Sequence, residues 1–552
     1  MPRAPERTMV LVVLAFAALL HGRFLLGSQM AGLLVGWLPD DAFYYLQPAW
    51  NAARGHGLSF DGLAPTYGFQ PLWTVLLWLG AALAPTKGAL VGLALGLGAA
   101  LHLLVGGLLF TWLSRAGAPR GGLVAATVWL LNPETLFMHA SGMESGLVAA
   151  LLLGVLIASA DLQRRPIRLG VLLGLLFLAR ITMGMVAVLL LLAAWRRVPR
   201  RALLTVVLAA IATTLPWLLY ATVALGQPLP LSMDRKLVAG IAGAARFVAD
   251  LPLVPDGLIA ALLPASERAL VEAPGLIGPT WERLWLFGVR APVGWALGRW
   301  LPSMLTLPSA ILAVLWVLLL RSQGDGARTR WPAGIGVLAG VAVLNLLANN
   351  LLLSQFVEYG FWYRVPEVLL LVALVGVVAD RALALRSPRA LGGACLALLV
   401  VGVAHTARDH RPLAYDADAR LVARGGYDVS RVLGDELPAG ARVGCWNAGL
   451  IGWVADGPVI VNIDGLANTP EFVPIAAQEV LVRHGIEDEL ALLGWLEEQG
   501  IDYLVDLHPV DGAAVPFYGV IPPERVEVVL RSTPVDHWVD PGDHAITLVR
   551  LR

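Results

Sequence analysis

Charged residues are scarce in this chain of 552 residues. Asp, Glu, Lys and Arg together make up 14% of the sequence, whereas hydrophobic residues make up 57%, and the mean hydropathy is +0.71. This composition excludes a soluble protein, because a water-exposed fold needs far less apolar material. Apolar runs of about 20 residues recur between Met9 and Ala404, and each can cross a hydrocarbon core of about 30 Å as a helix. The runs do not alternate with period two, which excludes a membrane β-barrel.

Cysteine is also rare, and neither sign of charge is in excess. The two cysteines, Cys395 and Cys445, stand alone, which excludes a disulfide framework or a cysteine-based metal cluster. Lys plus Arg and Asp plus Glu balance at 40 each, so the net charge points to no nucleic-acid or acidic partner. No repeat of fixed period is present, and no spacing of histidines or paired carboxylates strongly predicts a bound metal.

The apolar runs predict about 11 to 13 membrane-spanning helices. The first, at about 9–27, follows Arg3 and Arg7 and resembles a secretory signal, but we interpret it as an uncleaved span because no clear small-x-small cleavage site follows. The run at 168–195 is long enough for two short helices, and we expect a bend near Arg180. The other candidates are 71–84, 89–113, 121–133, 143–160, 203–225, 301–320, 333–353, 365–380 and 390–405.

Arginine-rich loops predict the orientation of these spans. The stretches "DLQRRPIR", "WRRVPRR", "RSQGDGARTR" and "DRALALRSPR" are expected on the cytoplasmic side. The N-terminus then lies on the cytoplasmic side of the cell membrane. The loops at 28–70 and 226–300 and the C-terminal region lie on the outer side. "SRAGAPRG" conflicts with this scheme, because two spans between 69 and 113 would leave it external. Either that stretch crosses an odd number of times or the loop is an exception.

From about residue 410 the composition becomes that of a water-soluble domain. Helices are expected at about 417–436 and 471–499, and five stretches predict β-strands: "ARVGCWNAG", "PVIVNIDG", "IDYLVDL", "VEVVLRS" and "AITLVRLR". We therefore divide the chain into an α-helical polytopic membrane region, 1–408, and an extracytoplasmic α/β domain, 409–552.

The densest polar and aromatic cluster of the chain is "LPDDAFYYLQPAWNAARGHGLSFDG". Asp40 and Asp41 precede a predicted helix, so an N-cap with a dipole-favoured neighbour is one interpretation. Capping needs only one acid, however, and it does not explain the aromatic residues that follow. The structural interpretation of those aromatics is an ordinary belt at the level of the lipid headgroups. The alternative is functional: a carboxylate at the water–lipid boundary can remove a proton from an incoming hydroxyl or amine. Tyr44 and Tyr45 would form the floor of such a site.

An acidic residue directly after the first span resembles the GT-C superfamily of polytopic glycosyltransferases, which use polyprenyl-phosphate sugars. The cluster above, followed by "PTYGFQPLW", is similar to a group of bacterial members, and "WNAGLIGWVADGPVIVNIDGLAN" extends the resemblance into the C-terminal domain. The resemblance implies a GT-C-like fold and an inverting glycosyltransferase that acts on an extracytoplasmic lipid, glycan or protein. It implies no metal cofactor. It also makes the loop acid the catalytic base, at Asp40 or Asp41, with Asp40 slightly preferred because Asp41 lies nearer the helix dipole.

A donor phosphate also needs cations, and the external regions offer several. Arg364 follows Tyr363 at the start of a span and resembles an "RY…P"-like motif with the tyrosine placed before the arginine. Arg235 and Lys236 lie in the second long external loop, and Arg180 lies at the predicted bend. An arginine fork binds phosphate through two parallel hydrogen bonds, whereas lysine acts as a point charge. For each of them a snorkelling or loop cation is the alternative interpretation.

Four more residues are weighed as contacts to substrate. "NPETLFMHASGMESGL" places His139 and Glu144 at an external turn, where Glu144 either favours the dipole of its own helix or belongs to the site. The first loop adds His56. Asp464 follows a predicted strand and is interpreted as a turn acid, with a contact to the acceptor as the alternative.

The alternative function is a membrane transporter or lipid flippase. Such proteins carry charged residues or broken helices near the bilayer midplane, and many have internal symmetry. Here the spans, apart from Arg180, contain almost no ionisable residues, and the polar clusters lie at the outer face, which favours chemistry at the interface. A non-catalytic assembly or sensor protein is a third reading, but it leaves the Asp40 loop unexplained.

The predicted orientation can be tested with topology reporters. A reporter fused after Arg552 should be active outside the cytoplasmic membrane, and one inserted in "RSQGDGARTR" should be active inside, because arginine-rich loops stay on the cytoplasmic side. A C-terminal reporter that is active only in the cytoplasm would contradict an external site.

Overall fold

The computed structural model describes residues 4–27, 30–231, 331–349, 361–384, 417–465, 467–472, 475, 491–510, 521, 523–536 and 543–552. Arg235 and Lys236 lie outside these residues, as do the predicted spans at 301–320 and 390–405. The boundary between 408 and 409 also lies outside them and stays a prediction.

The described part of the membrane region is built of apolar α-helices, most of which follow the predicted runs. They are α1 (Ala4–Gly27), α2 (Met30–Gly36), α3 (Asp40–Ala53), α4 (Pro71–Leu83), α5 (Lys87–Arg115), α6 (Pro119–Leu131), α7 (Pro133–Ala140), α8 (Ser145–Ser159), α9 (Pro166–Ala179), α10 (Gly184–Ala194), α11 (Arg200–Ala224), α12 (Ile335–Leu347) and α13 (Val365–Ala384).

Two of the described helices, α5 and α11, are long and apolar enough to cross a membrane. Helices α7 and α8 together would make a third crossing, but they are bent by 109° at the break between them. Several apolar helices are shorter, among them α4, α9 and α12. The predicted α-helical architecture of the membrane region is confirmed. The number of membrane-spanning helices, about 11 to 13, stays a prediction.

The predicted bend near Arg180 is present. Helix α9 ends before Arg180, whose backbone is extended, and a 3-10 turn at Ile181–Met183 leads into α10. The side-chain oxygen of Gln70 accepts a hydrogen bond of 3.1 Å from the Ile181 N–H. That N–H has no partner within the interrupted helix, so Gln70, which belongs to the "PTYGFQPLW" motif, stabilises the break.

Helices α9 and α11 pack closely because α9 presents two glycines one turn apart. A Cβ added at Gly170 would meet the Val206 carbonyl oxygen and lie 2.6 Å from the Ala209 Cβ. A Cβ at Gly174 would lie 2.6 Å from the Thr213 Cβ. Small residues at i and i+4 let helix backbones approach in a membrane. Helix α11 is mostly exposed, so this contact holds much of it to the bundle.

The C-terminal domain is an α/β unit, as predicted. Its helices are α14 (Ala417–Glu436), α15 (Ala448–Val454) and α16 (Ala491–Glu498), and its strands are β1 (Arg442–Cys445), β2 (Val459–Asn462), β3 (Tyr503–Pro509), β4 (Val526–Arg531), β5 (Val535–Asp536) and β6 (Asp543–Leu551). The sheet order is β2-β1-β3-β6-β4, with β5 paired to β6.

The first three strands are parallel, and β6 is antiparallel to β3 and to β4. All five predicted strands are present. Strand β5 has only two residues, too few for an alternating pattern, and the sequence analysis missed it.

Replacing Gly174 by valine should separate α9 from α11. The added side chain would collide with Thr213 and with the Ala210 carbonyl oxygen, so the free energy of unfolding should fall by about 1–3 kcal/mol. The matched control is Gly96→Val in α5, where nothing lies within 4 Å of the added Cβ. Thermal unfolding in detergent measures both variants, and equal unfolding temperatures would contradict the close packing.

Candidate active site

Helix α3 begins at Asp40, but neither acid acts as its N-cap. Pro39 occupies the N-cap position and offers no side-chain hydrogen bond to the helix. The predicted capping role of Asp40 is therefore wrong. The physical reason is that its carboxylate binds a different helix, α15 of the C-terminal domain.

The Asp40 carboxylate accepts two backbone hydrogen bonds at the N-terminus of α15. Its Oδ2 lies 3.1 Å from the Gly449 nitrogen, and its Oδ1 lies 2.7 Å from the Leu450 nitrogen. The first N–H groups of a helix lack partners within the helix, and the positive end of the helix dipole favours an anion. Asp40 thus supplies from the membrane region the cap that α15 lacks.

Tyr44, one turn after Asp40, extends the same contact. Its hydroxyl accepts a hydrogen bond of 3.1 Å from the Ala448 N–H and donates one of 3.1 Å to Asp464 Oδ2. The Asn462 side-chain amide donates to the same hydroxyl at 3.3 Å. The Tyr44 hydroxyl thus uses its one donor position and both of its acceptor positions. Burial, with Asp464 nearby, raises the pKa of Tyr44 well above its usual value. Asp464, interpreted as a turn acid, binds the membrane region.

The other end of α15 is held by a cation. Lys87 Nζ donates a hydrogen bond of 2.7 Å to the Trp453 carbonyl oxygen and lies 4.8 Å from the centre of the Trp453 ring. A cation is favourable at a helix C-terminus, where carbonyl groups are left without partners. Gly449 and Gly452 permit the close approach, since added Cβ atoms would meet Asp40 and the Phe60 ring.

Asp40 has an unusual protonation equilibrium. Burial raises the pKa of its carboxyl group from 3.8 to about 6, and the hydrogen bond from the Leu450 N–H partly opposes that increase. The neighbouring charge of Asp41 raises it further. A carboxyl group with such a pKa is ionised at neutral pH, so the two amide contacts are made to an anion.

Asp41 and Tyr45 occupy the adjacent face of α3, because residues four apart lie one turn above each other on a helix. Tyr45 is buried and lies close enough to Glu144, Arg180 and Tyr363 to interact with them electrostatically. Asp41 is half-buried. One face of α3 therefore contacts the C-terminal domain, and the next faces a cluster of candidate residues in the membrane region.

Arg180 and Glu144 form a buried ion pair in that cluster. Glu144 Oε1 lies 2.6 Å from Arg180 Nη2 and 3.0 Å from Nε, and the two side chains are 2% and 4% exposed. Glu144 occupies the N-cap position of α8 without a capping hydrogen bond, so both interpretations apply: it lies at the positive end of the helix dipole, and its carboxylate pairs with Arg180. The break after α9 is what turns Arg180 out of a regular helix and toward Glu144.

Tyr363 and Arg364 approach the same cluster from the start of α13. The Arg180 guanidinium carbon lies 5.3 Å from the centre of the Tyr363 ring. Arg364 is buried, with Nη1 4.0 Å from Glu367 Oε1. Asn345 of α12 donates to the Tyr363 carbonyl at 2.7 Å and to Glu367 at 3.0 Å, which fixes this segment.

The structure places His139 and His56 elsewhere. His139 is buried, its Nδ1 lies 2.7 Å from the Thr135 carbonyl oxygen, and its ring centre lies 4.5 Å from that of His102. His102 in turn contacts His21 at 2.9 Å. His56 lies exposed in the turn after α3.

This histidine cluster could not be predicted from the sequence, because single histidines in three separate segments carry no spacing signal. Among the residues that the structure describes, no group of His, Cys, Asp and Glu is arranged to hold a metal ion.

Comparison with known proteins gives limited similarity. A domain family of unknown function, DUF8728, matches residues 414–543. No curated protein matches the chain in sequence. The fold resembles the crystal structure of the oligosaccharyltransferase of Archaeoglobus fulgidus in complex with Zn and sulfate, with a TM-score of 0.46 and 14% identity, over 89% of this chain and 67% of that one.

A second solved structure, apo ArnT from Cupriavidus metallidurans, gives a TM-score of 0.43 and 15% identity over 98% of this chain and 97% of that one. Both are GT-C glycosyltransferases, the superfamily that the sequence motifs resemble. At these identities and TM-scores the likeness transfers no residue role to this chain.

The substitution Gly449→Ala should weaken the contact between α3 and α15. The added methyl group would lie 2.7 Å from Asp40 Oδ1 and would also meet the Asp40 carbonyl oxygen, so the two amide hydrogen bonds must lengthen. The matched control is Gly494→Ala in α16, where nothing lies within 4 Å and alanine should favour the helix. Limited proteolysis measures release of the C-terminal domain. Equal resistance of the two variants would contradict the contact.

Proposed function

We propose that this chain is a GT-C-type glycosyltransferase of the cell membrane, which moves a sugar from a polyprenyl-phosphate donor to an extracytoplasmic acceptor. One observation carries the proposal. Tyr45 lies close to the buried pair Arg180–Glu144 and to Tyr363, and Asp41 precedes it by one turn on the same side of α3. A carboxylate thus lies near a group of cations and aromatics, next to a second domain. This combination suits a phosphorylated sugar donor and a polar acceptor.

In this proposal Asp41 is the base and Asp40 is a positioning residue. Both oxygens of Asp40 accept amide hydrogen bonds from α15, so this carboxylate is engaged in holding the C-terminal domain and not in meeting an incoming acceptor. Asp41 is next to it in sequence but on the other face of α3. The sequence slightly favours Asp40 only on the expectation that Asp41 neighbours a cap, and Pro39 occupies the N-cap position instead.

The reaction is a single displacement. Asp41 takes the proton of the acceptor hydroxyl or amine as its oxygen or nitrogen bonds to the anomeric carbon of the sugar, with inversion. The bond from that carbon to the phosphate oxygen breaks, and polyprenyl phosphate leaves with the electron pair.

Arg364 and Arg180 hold the donor phosphate, and Glu144 keeps the Arg180 guanidinium oriented through its Nε and Nη2 atoms. Arg235 and Lys236, outside the described residues, remain candidates for the same role.

A transporter is the second candidate, and one observation favours it. The histidines His21, His102 and His139 lie together inside the helical bundle, where ionisable residues can mark a proton or substrate path. A transporter would lose transport when His102 is replaced by phenylalanine, whereas the glycosyltransferase would keep sugar transfer in a variant that folds.

Asp41→Asn should lower sugar transfer by roughly 100-fold or more, because it removes the base. Its unfolding temperature should match that of the wild type. Asp40→Asn keeps one acceptor oxygen for α15 and loses the charge, so we expect a lower unfolding temperature with a smaller loss of activity. The measurement is transfer from a polyprenyl-phosphate sugar in vesicles. Full activity of the Asp41 variant would remove this residue from the chemistry.

Arg364→Lys distinguishes a phosphate-binding arginine from an interfacial one. Lysine retains the charge and the apolar stem but loses the two parallel N–H groups, so activity should fall nearly as far as in Arg364→Ala, with weaker donor binding. An interfacial anchor would tolerate lysine. Arg381→Lys at the far end of α13 is the control, and full activity of Arg364→Lys would leave Arg180 and Lys236 as the phosphate ligands.

A further inference from the structure

A cavity lies at the opposite end of the helical bundle from the candidate site. Its volume is about 700 Å³, and it is lined by residues of the α8–α9 and α10–α11 loops, the C-terminal half of α10 and the start of α12. Helix α8 begins directly after Glu144 and ends at Ser159 in the cavity wall, a length of about 22 Å at 1.5 Å per residue. The cavity is therefore separate from the Arg180–Glu144 pair.

Positive charge dominates the surroundings of this cavity. Arg164 and Arg197 line it, and five more arginines lie in the same two loops or in the first turn of the helix that follows each loop: Arg165, Arg168, Arg196, Arg200 and Arg201. Asp161 is the acid in the lining. Among the described residues, neither Arg164 nor Arg197 forms an ion pair with Asp161 or with another acid. The hydrogen bonds of these two arginines are made by their backbone groups. An anion in the cavity would therefore meet a net positive field.

One part of the cavity wall is apolar and adjoins exposed apolar surface. Leu190, Val198 and Val337 line it. Beside it, Leu192 is 67% exposed and Trp195 is 61% exposed. A tryptophan next to an arginine pair is typical of the level of lipid headgroups at a membrane surface. The cavity thus combines arginines with an apolar wall that is open to the bilayer.

We propose that this cavity binds the phosphate headgroup of an anionic phospholipid from the leaflet opposite the active site. Arg164 and Arg197 hold the phosphate, since arginine forks pair with its oxygens, and the first part of an acyl chain lies against Leu190 and Val337. The volume lies within the range of about 300–1,000 Å³ that small-molecule sites occupy. The bound lipid joins the ends of α8, α10 and α12, and this role is independent of the proposed sugar transfer.

The test is native mass spectrometry of the full chain extracted from nanodiscs that contain phosphatidylglycerol and phosphatidylcholine in equal amounts. The wild type should retain phosphatidylglycerol in preference. The double variant Arg164→Gln/Arg197→Gln should retain about tenfold less, as expected when charge-assisted hydrogen bonds are lost. The matched control, Arg168→Gln/Arg201→Gln, removes the same charge from the first turns of α9 and α11, outside the lining, and should retain wild-type levels. Equal losses in the two double variants would mean general surface attraction and overturn the proposal.

Two further measurements test the cavity itself. Val337→Trp fills the cavity but leaves both arginines in place, so it should also lower phosphatidylglycerol retention. Unchanged retention in this variant would overturn the proposal. Added polyprenyl phosphate should not displace phosphatidylglycerol at equal concentration. Displacement would assign the site to the lipid carrier instead of a phospholipid. Thermal unfolding of each variant verifies folding, and sugar transfer by the control double variant should be unchanged.

Discussion

The capping of α15 by residues of the membrane region is the interaction on which the arrangement of the two parts of the chain depends. A helix of seven residues is too short to be stable by itself, and its terminal N–H and C=O groups would be costly to bury without partners. Asp40 and Tyr44 satisfy three of its N–H groups, and Lys87 satisfies a carbonyl at the other end. The charges also have the sign that the helix dipole favours at each end.

The same interaction determines which way α3 faces. Once Asp40 and Tyr44 are bound to α15, Tyr45 cannot turn away from the Arg180–Glu144 pair, and Asp41 stays one turn before it on α3. That pair is itself constrained, because removing either partner would leave a buried charge without compensation. The helix break at Arg180, supported by Gln70, completes the arrangement. A chain of specific polar contacts thus connects the C-terminal domain with the interior of the bundle.

Sequence patterns predict the local features of this molecule well. Alternation and turn residues located five strands, and apolar length located the helix pair around Arg180, because these signals extend over neighbouring residues. The contact between Asp40 and Gly449 spans 409 positions and has no periodic signature. The capping interpretation of Asp40 failed for the same reason, since its own helix was the only partner visible locally. Lys87 and His102 were missed because a lone polar residue at the start of an apolar run, or inside one, does not reveal what it faces.

The two faces of α3 have a consequence for how this segment can change during evolution. Consecutive residues of a helix differ by about 100° around its axis. Insertion or deletion of one residue between Pro39 and Tyr45 would rotate both tyrosines at once. Tyr44 would lose its partner on α15, and Tyr45 would turn away from Glu144. The length of this stretch is therefore fixed, so related chains that dock the second domain in this way should align here without gaps even where little identity remains.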